Sequence, residues 1–407
     1  LQWLFKAIKL PFLPTYNDFQ LKYKHRFNAH NELTILGIGA IDDMSLNTKL
    51  QSTGSEVQRY ILSYLPRYKQ WNYTVGAVYK HYGAEHTDSW VLSRNMLRNS
   101  SVKHQSNDPT LPKLSEYQSD ETESKLRYER MYTTLPFKLS FGAGLRYADY
   151  RNRAEHLAYQ SGKVVPLSYD AHIRLLAYSA FAQASDEYLD RRLKIGLGVN
   201  LVGNTLNSVM SNPFPQLSPR LSVSFALTDD IDLNANFGRY AMQPSYTSMG
   251  YQAPDGTYPN KMRLRYITSN QAVLGGEYHL GSYLHFSAEG FYKSYSSYPI
   301  SELEGISLAS KGTEYGQVGA EAVLSTGEGR AYGAEVVARL MPWHQFSATA
   351  TYTLFRSEFT DKAGIYRPSS WDTRQMLNLL LSYRLGKSWH LSASWRYSGG
   401  VPYTPID

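Results

Sequence analysis

Six side chains between Met242 and Arg265 are the best suited in this chain to hold a ligand. Tyr246, Tyr251 and Tyr258 supply aromatic faces, and Lys261, Arg263 and Arg265 supply cations. Rings and fixed charges gathered in one loop suit a sugar, a peptide or an anionic ligand. The plainer use of the same residues is an aromatic girdle in contact with lipid and lipopolysaccharide. Other groups are less promising. His81 and His86 flank what reads as an outer turn, while His104 and His156 fall in other loops, so a metal or haem would need them to converge. Asp42-Asp43, at an outer strand end, would need a loop histidine beside it to activate water, and reads as a turn. Gly37-Ile38-Gly39, Gly142-Ala143-Gly144 and Gly196-Leu197-Gly198 lack the strand-to-helix setting of a phosphate loop and read as small residues facing a lumen. With no Ser/His/Asp spacing of note, the expectation is no catalytic residue, no metal site and no cofactor.

The elements that must carry that loop are strands. From Trp389 to Ser398, Trp389, Leu391, Ala393, Trp395 and Tyr397 alternate with His390, Ser392, Ser394, Arg396 and Ser398. Side chains alternate faces along a strand, so one face is apolar and the other polar. The same period of two runs through Phe137, Leu139, Phe141, Ala143, Leu145 and Tyr147, and again through Ile231, Leu233, Ala235 and Phe237. These read as transmembrane strands of an outer-membrane barrel.

Composition agrees. No apolar run in the 407 residues approaches the roughly 20 that a membrane helix needs, and no long segment has helical period. A mean hydropathy of −0.43 suits a barrel, in which only alternate residues meet lipid. The 34 tyrosines and 7 tryptophans fit girdles at the two membrane interfaces. The absence of cysteine fits passage through an oxidising envelope. The net charge of +7 is spread along the chain, which suits solvated loops, lipopolysaccharide or anionic ligands and does not form a nucleic-acid patch. No signal peptide is visible at Leu1.

About sixteen strands are expected, near 18–28, 32–42, 57–66, 71–82, 120–132, 137–150, 170–184, 191–204, 217–228, 231–242, 269–279, 283–295, 329–340, 345–358, 371–384 and 389–399. Tight connections fall at Ala29 to Asn31, Arg67 to Gln70, Thr133 to Pro136, Asp229-Asp230, Leu280 to Ser282 and Gly386 to Ser388. Long ones, at 83–119, 243–268 and 296–328, hold much of the Gly, Pro, Ser and Asn. Short turns at one rim and long loops at the other match the bacterial pattern of periplasmic turns and extracellular loops.

Several segments then acquire a specific meaning. Pro215 to Leu221, Asn236 to Tyr240, Gln243 to Tyr246, Ala288 to Lys293, Gly329 to Glu335, and Trp371 to Gln375 running on to Ser398 through Pro405 resemble, in order and spacing, the barrel of TonB-dependent outer-membrane receptors. The resemblance covers about half of the chain well. It implies an all-β fold: an antiparallel transmembrane barrel with about 16–17 strands in this chain, part of a 22-strand barrel that the family closes around a plug. It implies residues 1–407 as a partial barrel domain, with the plug and the last strands outside it. The implied function is energy-coupled uptake of a scarce, large nutrient (an iron chelate, haem, cobalamin, a glycan or a peptide). The implied partners are TonB, reached through the plug, membrane lipid and lipopolysaccharide, and in some cases a surface lipoprotein. A passive porin, a barrel protease or lipase, and an adhesin are the alternatives.

Overall fold

The computed structural model describes residues 2–160, 163–311 and 319–402. One antiparallel sheet of 17 strands runs through them. The strands are β1 (Phe12–Asn28), β2 (Asn31–Leu46), β3 (Arg67–Tyr82), β4 (His86–His104), β5 (Lys113–Tyr132), β6 (Lys138–Gln160), β7 (Lys163–Tyr188), β8 (Leu193–Asn204) and β9 (Ser218–Ala226). They continue as β10 (Ile231–Met242), β11 (Ile267–Leu280), β12 (Leu284–Ser301), β13 (Val323–Trp343), β14 (Phe346–Thr360), β15 (Tyr366–Pro368), β16 (Gln375–Leu385) and β17 (Trp389–Ser398). Neighbours in sequence are neighbours in space, except that the short β15 pairs only with β14, which goes on to pair with β16. The sheet is open, with β1 and β17 at its ends.

Register converts the alternation of each strand into two continuous faces. Ala350, Leu379 and Trp395 lie side by side across β14, β16 and β17, as do Tyr352, Leu377 and Tyr397 one pleat away. Between these rows sit Thr351, Asn378 and Arg396, with Asn378 Nδ2 donating to Thr351 Oγ1 at 3.1 Å. Leu274, Leu354 and Trp395 are each more than half exposed. A continuous apolar face of this extent belongs against lipid rather than water.

The apolar band has a readable upper edge. Along the outer face of β6, Leu139, Phe141, Ala143, Leu145 and Tyr147 give way to Asp149, Arg151 and Arg153. Asp149 accepts from Arg174 Nε at 3.2 Å and pairs with His172 Nε2 at 3.1 Å, both on the same face of β7. On β4 and β5, Trp90, Leu92, Leu126 and Tyr128 give way to Arg94 and to the Arg98–Asp120 ion pair. The band on β6 runs about 26 Å along the strand at ~3.3 Å per residue, roughly 20 Å of height at a barrel tilt of ~40°, which is most of an apolar belt ~25 Å tall. The β6–β7 hairpin continues well beyond it.

All turns on one rim are short: those after β1, β3, β5, β7, β9, β11, β13 and β16. Longer connections gather at the other rim. Four expectations change. Residues 57–66 are not a strand, since Glu56–Tyr64 is a helix that begins at a capping box: Ser55 Oγ accepts from Gln58 N at 3.3 Å and Gln58 Oε1 accepts from Ser55 N at 2.9 Å. Its apolar residues Val57, Tyr60, Ile61 and Tyr64 follow a helical rather than a two-residue period. Residues 83–119 are not one loop, because β4 and the start of β5 cross them; their outward positions turn charged above Leu92 and so lose the apolar alternation. Arg67 to Gln70 is not a turn but the opening of β3, which makes Gly83 to Glu85 the short turn, and His81 and His86 therefore lie on the short-turn rim. The expected loop 296–328 is also shorter, since β12 runs to Ser301 and β13 starts at Val323.

The protein's own apolar core lies on the inner face, beneath the long loops. Ala148, Tyr150, Ile173 and Leu175 of β6 and β7 pack with Leu206, Met210, Tyr246, Met249, Leu264, Tyr266 and Val323.

The two faces make a direct prediction. In the full-length protein, Leu379→Arg places a cation against lipid and costs about 2–4 kcal/mol near the midplane, whereas Asn378→Arg, beside Arg396 on the inner face, leaves folding nearly unchanged. Denaturant unfolding of the two variants reads the difference, and equal losses would contradict the assigned phase.

Candidate ligand-binding loop

The loop after β10 is built rather than loose. Ser245 begins a single helical turn, Tyr246–Met249, by accepting from Ser248 N at 3.2 Å. The turn drops Tyr246 and Met249 into the apolar cluster, and Leu264 and Tyr266 enter it from the loop's returning end. Tyr246 stacks on Tyr150 at 5.8 Å, and its hydroxyl donates to Glu123 Oε1 at 2.6 Å. Lys125 Nζ, at 2.6 Å, and Arg146 Nη1, at 3.6 Å, complete the surroundings of that buried carboxylate. Burial, and then the bond to Glu123, push the Tyr246 hydroxyl far above its ordinary range, while burial pushes Tyr266 up to about 12. The Tyr266 hydroxyl accepts from Asn204 Nδ2 at 3.0 Å.

Three buried asparagines tie the loop down. Asn260 Nδ2 donates to the carbonyls of Ser248 and Glu321, each at 2.8 Å, and Asn260 Oδ1 accepts from Val323 N at 2.9 Å. One side chain thus joins both halves of the loop to the start of β13. Asn207 Nδ2 donates to the carbonyls of Lys261 and Leu264, at 2.8 and 3.0 Å, and Asn204 Oδ1 accepts from Leu206 N at 3.0 Å. Asn204 and Asn260 are completely buried. None of the three stands out in the sequence, because their partners lie as much as 63 residues away.

The six expected ligand residues divide. Tyr246 is buried as an anchor, and Tyr251 is half-buried, its hydroxyl raised above the ordinary range by burial. Tyr258, Lys261, Arg263 and Arg265 are exposed on the far side of the loop from the cluster. Arg263 Nη1 pairs with Glu302 at 2.9 Å, whereas among the described residues neither Lys261 nor Arg265 has an acidic partner. Under the loop, a cavity of about 430 Å³ is lined by Lys125, Arg127, Arg146, Gln243 and Tyr266 among others, so cations lie both above and below the lid.

Of the other candidates, His81 and His86 meet across the short β3–β4 turn with their rings 6.4 Å apart, His81 Nδ1 lying 2.9 Å from Asn31 Oδ1 and His86 Nε2 3.2 Å from Asp88. His104 and His156 lie in strands rather than loops, His104 at the end of β4 with Nδ1 3.0 Å from the Leu111 carbonyl and His156 in β6 opposite Ser115, near the other rim. Asp42 and Asp43 lie inside β2 rather than in a turn, paired with β1 and β3, and Asp43 pairs with Arg67 at 3.0 Å. The three glycine pairs all lie inside strands, where Gly142 leaves room for the Phe181 ring, which an added Cβ would meet at 2.7 Å.

A family profile described as "TonB dependent receptor-like, beta-barrel" matches residues 14–407. No curated protein sequence matches the chain. Among solved structures, the chain is similar to the copper transporter OprC, with a TM-score of 0.69 at 12% identity over 95% of this chain and 59% of that one. It is similar to the ferripyoverdine receptor of the outer membrane of Pseudomonas aeruginosa, with a TM-score of 0.68 at 15% identity over 95% and 55%. It is also similar to the alcaligin receptor FauA of Bordetella pertussis, with a TM-score of 0.61 at 13% identity over 95% and 60%. At these identities the likeness shows the fold, and the chain spans little more than half the length of each of these proteins.

The asparagine clamp is testable. Asn260→Ala strands two carbonyls and an amide, a cost of about 3 kcal/mol or more given ~1–3 kcal/mol for each of the three orphaned groups. The loop should then be cut by a protease added to intact cells, while Tyr258→Ala, at an exposed position, should leave it resistant. Equal resistance of the two variants would contradict the clamp.

Proposed function

This chain belongs to the TonB-dependent receptor family, as the β-barrel portion that the family profile matches over residues 14–407, and we propose that it serves a receptor that imports an anionic nutrient chelate across the outer membrane. The strands cross the outer membrane of a Gram-negative cell, with the short turns in the periplasm and the long loops outside. Ligand is captured at the cell surface by the loop of 243–266, where Lys261 and Arg265 offer cations free of acidic partners among the described residues and Tyr258 offers an exposed ring. The observation that carries this reading is the match of the whole strand series to a receptor family. Copper, ferripyoverdine and ferric preacinetobactin, named for three of its structural neighbours, favour a metal or metal chelate over a glycan or peptide.

Inward movement is coupled to the inner membrane through TonB, acting on a plug. A plugged lumen passes a large ligand only after a conformational change. The charged residues above the apolar band, Arg94, Arg98, Arg151, Arg153 and Arg174, suit the phosphates of lipopolysaccharide. The exposed helix Glu56–Tyr64, with Val57, Tyr60 and Tyr64 outward, is where a surface lipoprotein would find apolar side chains.

Two measurements on intact cells test the capture step. A tag inserted between Asp255 and Gly256, both exposed, should be reached by antibody without breaking the envelope; recognition only after lysis would invert the orientation. With a panel of radio-iron-loaded anionic siderophores as probes, the Lys261→Glu/Arg265→Glu double variant should bind at least about tenfold more weakly, a loss of ~1.4 kcal/mol. Unchanged binding would remove this loop from the site.

A further inference from the structure

A second cluster lies at the opposite end of the inner face, on the short-turn rim. Glu277 and His279 are two apart on β11 and so share a face, and register sets His285 of β12 directly opposite His279. His279 N donates to Asp230 O at 2.8 Å on the β10 side, so towards β12 the two histidines form a non-hydrogen-bonded pair, the kind whose side chains approach most closely. Their rings stack 4.6 Å apart at 25°. Asp232 of β10 lies directly opposite Glu277.

The donor atoms converge. Glu277 Oε2 lies 3.1 Å from His285 Nε2 and 3.8 Å from His279 Nε2, and Asp232 Oδ2 lies 3.6 Å from His279 Nε2. Ligands about 2.1 Å from a tetrahedral zinc ion are roughly 3.4 Å from one another, which these separations bracket. The other oxygen of Glu277, Oε1, accepts from Asn234 Nδ2 at 2.9 Å, which leaves Oε2 turned towards the imidazoles, as an outer partner orients a ligating carboxylate. With the imidazoles neutral, the group carries two facing carboxylates. Arg339, opposite His285 on β13, makes no ion pair with them among the described residues. The charge left to be balanced is that of a divalent cation.

We propose that Glu277, His279 and His285, with the Asp232 carboxylate beside His279, form a binding site for a divalent transition metal of the zinc or copper class at the periplasmic rim, clipping β11 to β12. Two imidazole nitrogens select such ions over calcium or magnesium, which take oxygen ligands. The site is separate from the capture loop, being carried on the turns at the other end of the strands.

The test uses tag-free, full-length protein in detergent with Cu2+ as the probe. Electron paramagnetic resonance of the wild-type protein with one equivalent of Cu2+ should show two coordinated nitrogens. His279→Ala and His285→Ala should each reduce this to one and weaken Zn2+ binding, read by calorimetry, at least about tenfold. Asn234→Ala should weaken it by about tenfold as an outer partner. His390→Ala, an exposed histidine on β17, should change neither reading. A wild-type spectrum without two nitrogens, or Zn2+ binding no tighter than millimolar, overturns the proposal without reference to any variant, as does an unchanged spectrum in both histidine variants.

Discussion

A backbone amide or carbonyl that finds no partner in hydrocarbon costs several kcal/mol, and the rest of this structure follows from that constraint. Strands meet it only by pairing along their whole length, so residues 12–398 are strung into a single ladder in which almost every neighbour in sequence is a neighbour in space. Pairing fixes register, and register decides which side chains meet lipid. The outer rows, such as Ala350, Leu379 and Trp395, are then a consequence of hydrogen bonding as much as of hydrophobicity.

The same ladder creates the functional surfaces. Hairpins close in a few residues at one rim, which frees the other rim for long connections whose own polar groups must be satisfied inside the protein. Asn204, Asn207 and Asn260 do this for the loops around the apolar cluster. They hold backbone that no sheet pairs, and in doing so they turn a flexible connection into a lid with a buried side and an exposed, cationic side. At the short-turn rim the ladder brings together Glu277, His279 and His285 from two strands, with Asp232 from a third.

Much of this was legible in the residue order. Strands with a full apolar face, such as β10 and β17, announce themselves by period alone, as do turns like Asp229-Asp230. Where the outer face leaves lipid the signal fades, which is why β4, with Arg94 and Arg98 outward, reads as loop. The helix Glu56–Tyr64 was available from the capping signature of Ser55 and Gln58 and from the helical period of the apolar residues after it. The buried role of Tyr246 was not available, since it depends on Glu123, 123 residues away. Nor was the histidine cluster, for which the exact register of β10, β11 and β12 had to be known. Local period gives the wall, and long-range register gives the sites.

An energy-coupled receptor separates ligand capture from transport, whereas a diffusive pore does not. With the full-length protein in cells lacking TonB, and a radio-iron-loaded siderophore that it binds as the probe, surface binding should persist while accumulation in the periplasm falls to background. Accumulation that continues unchanged without TonB would contradict the account and select a diffusive porin.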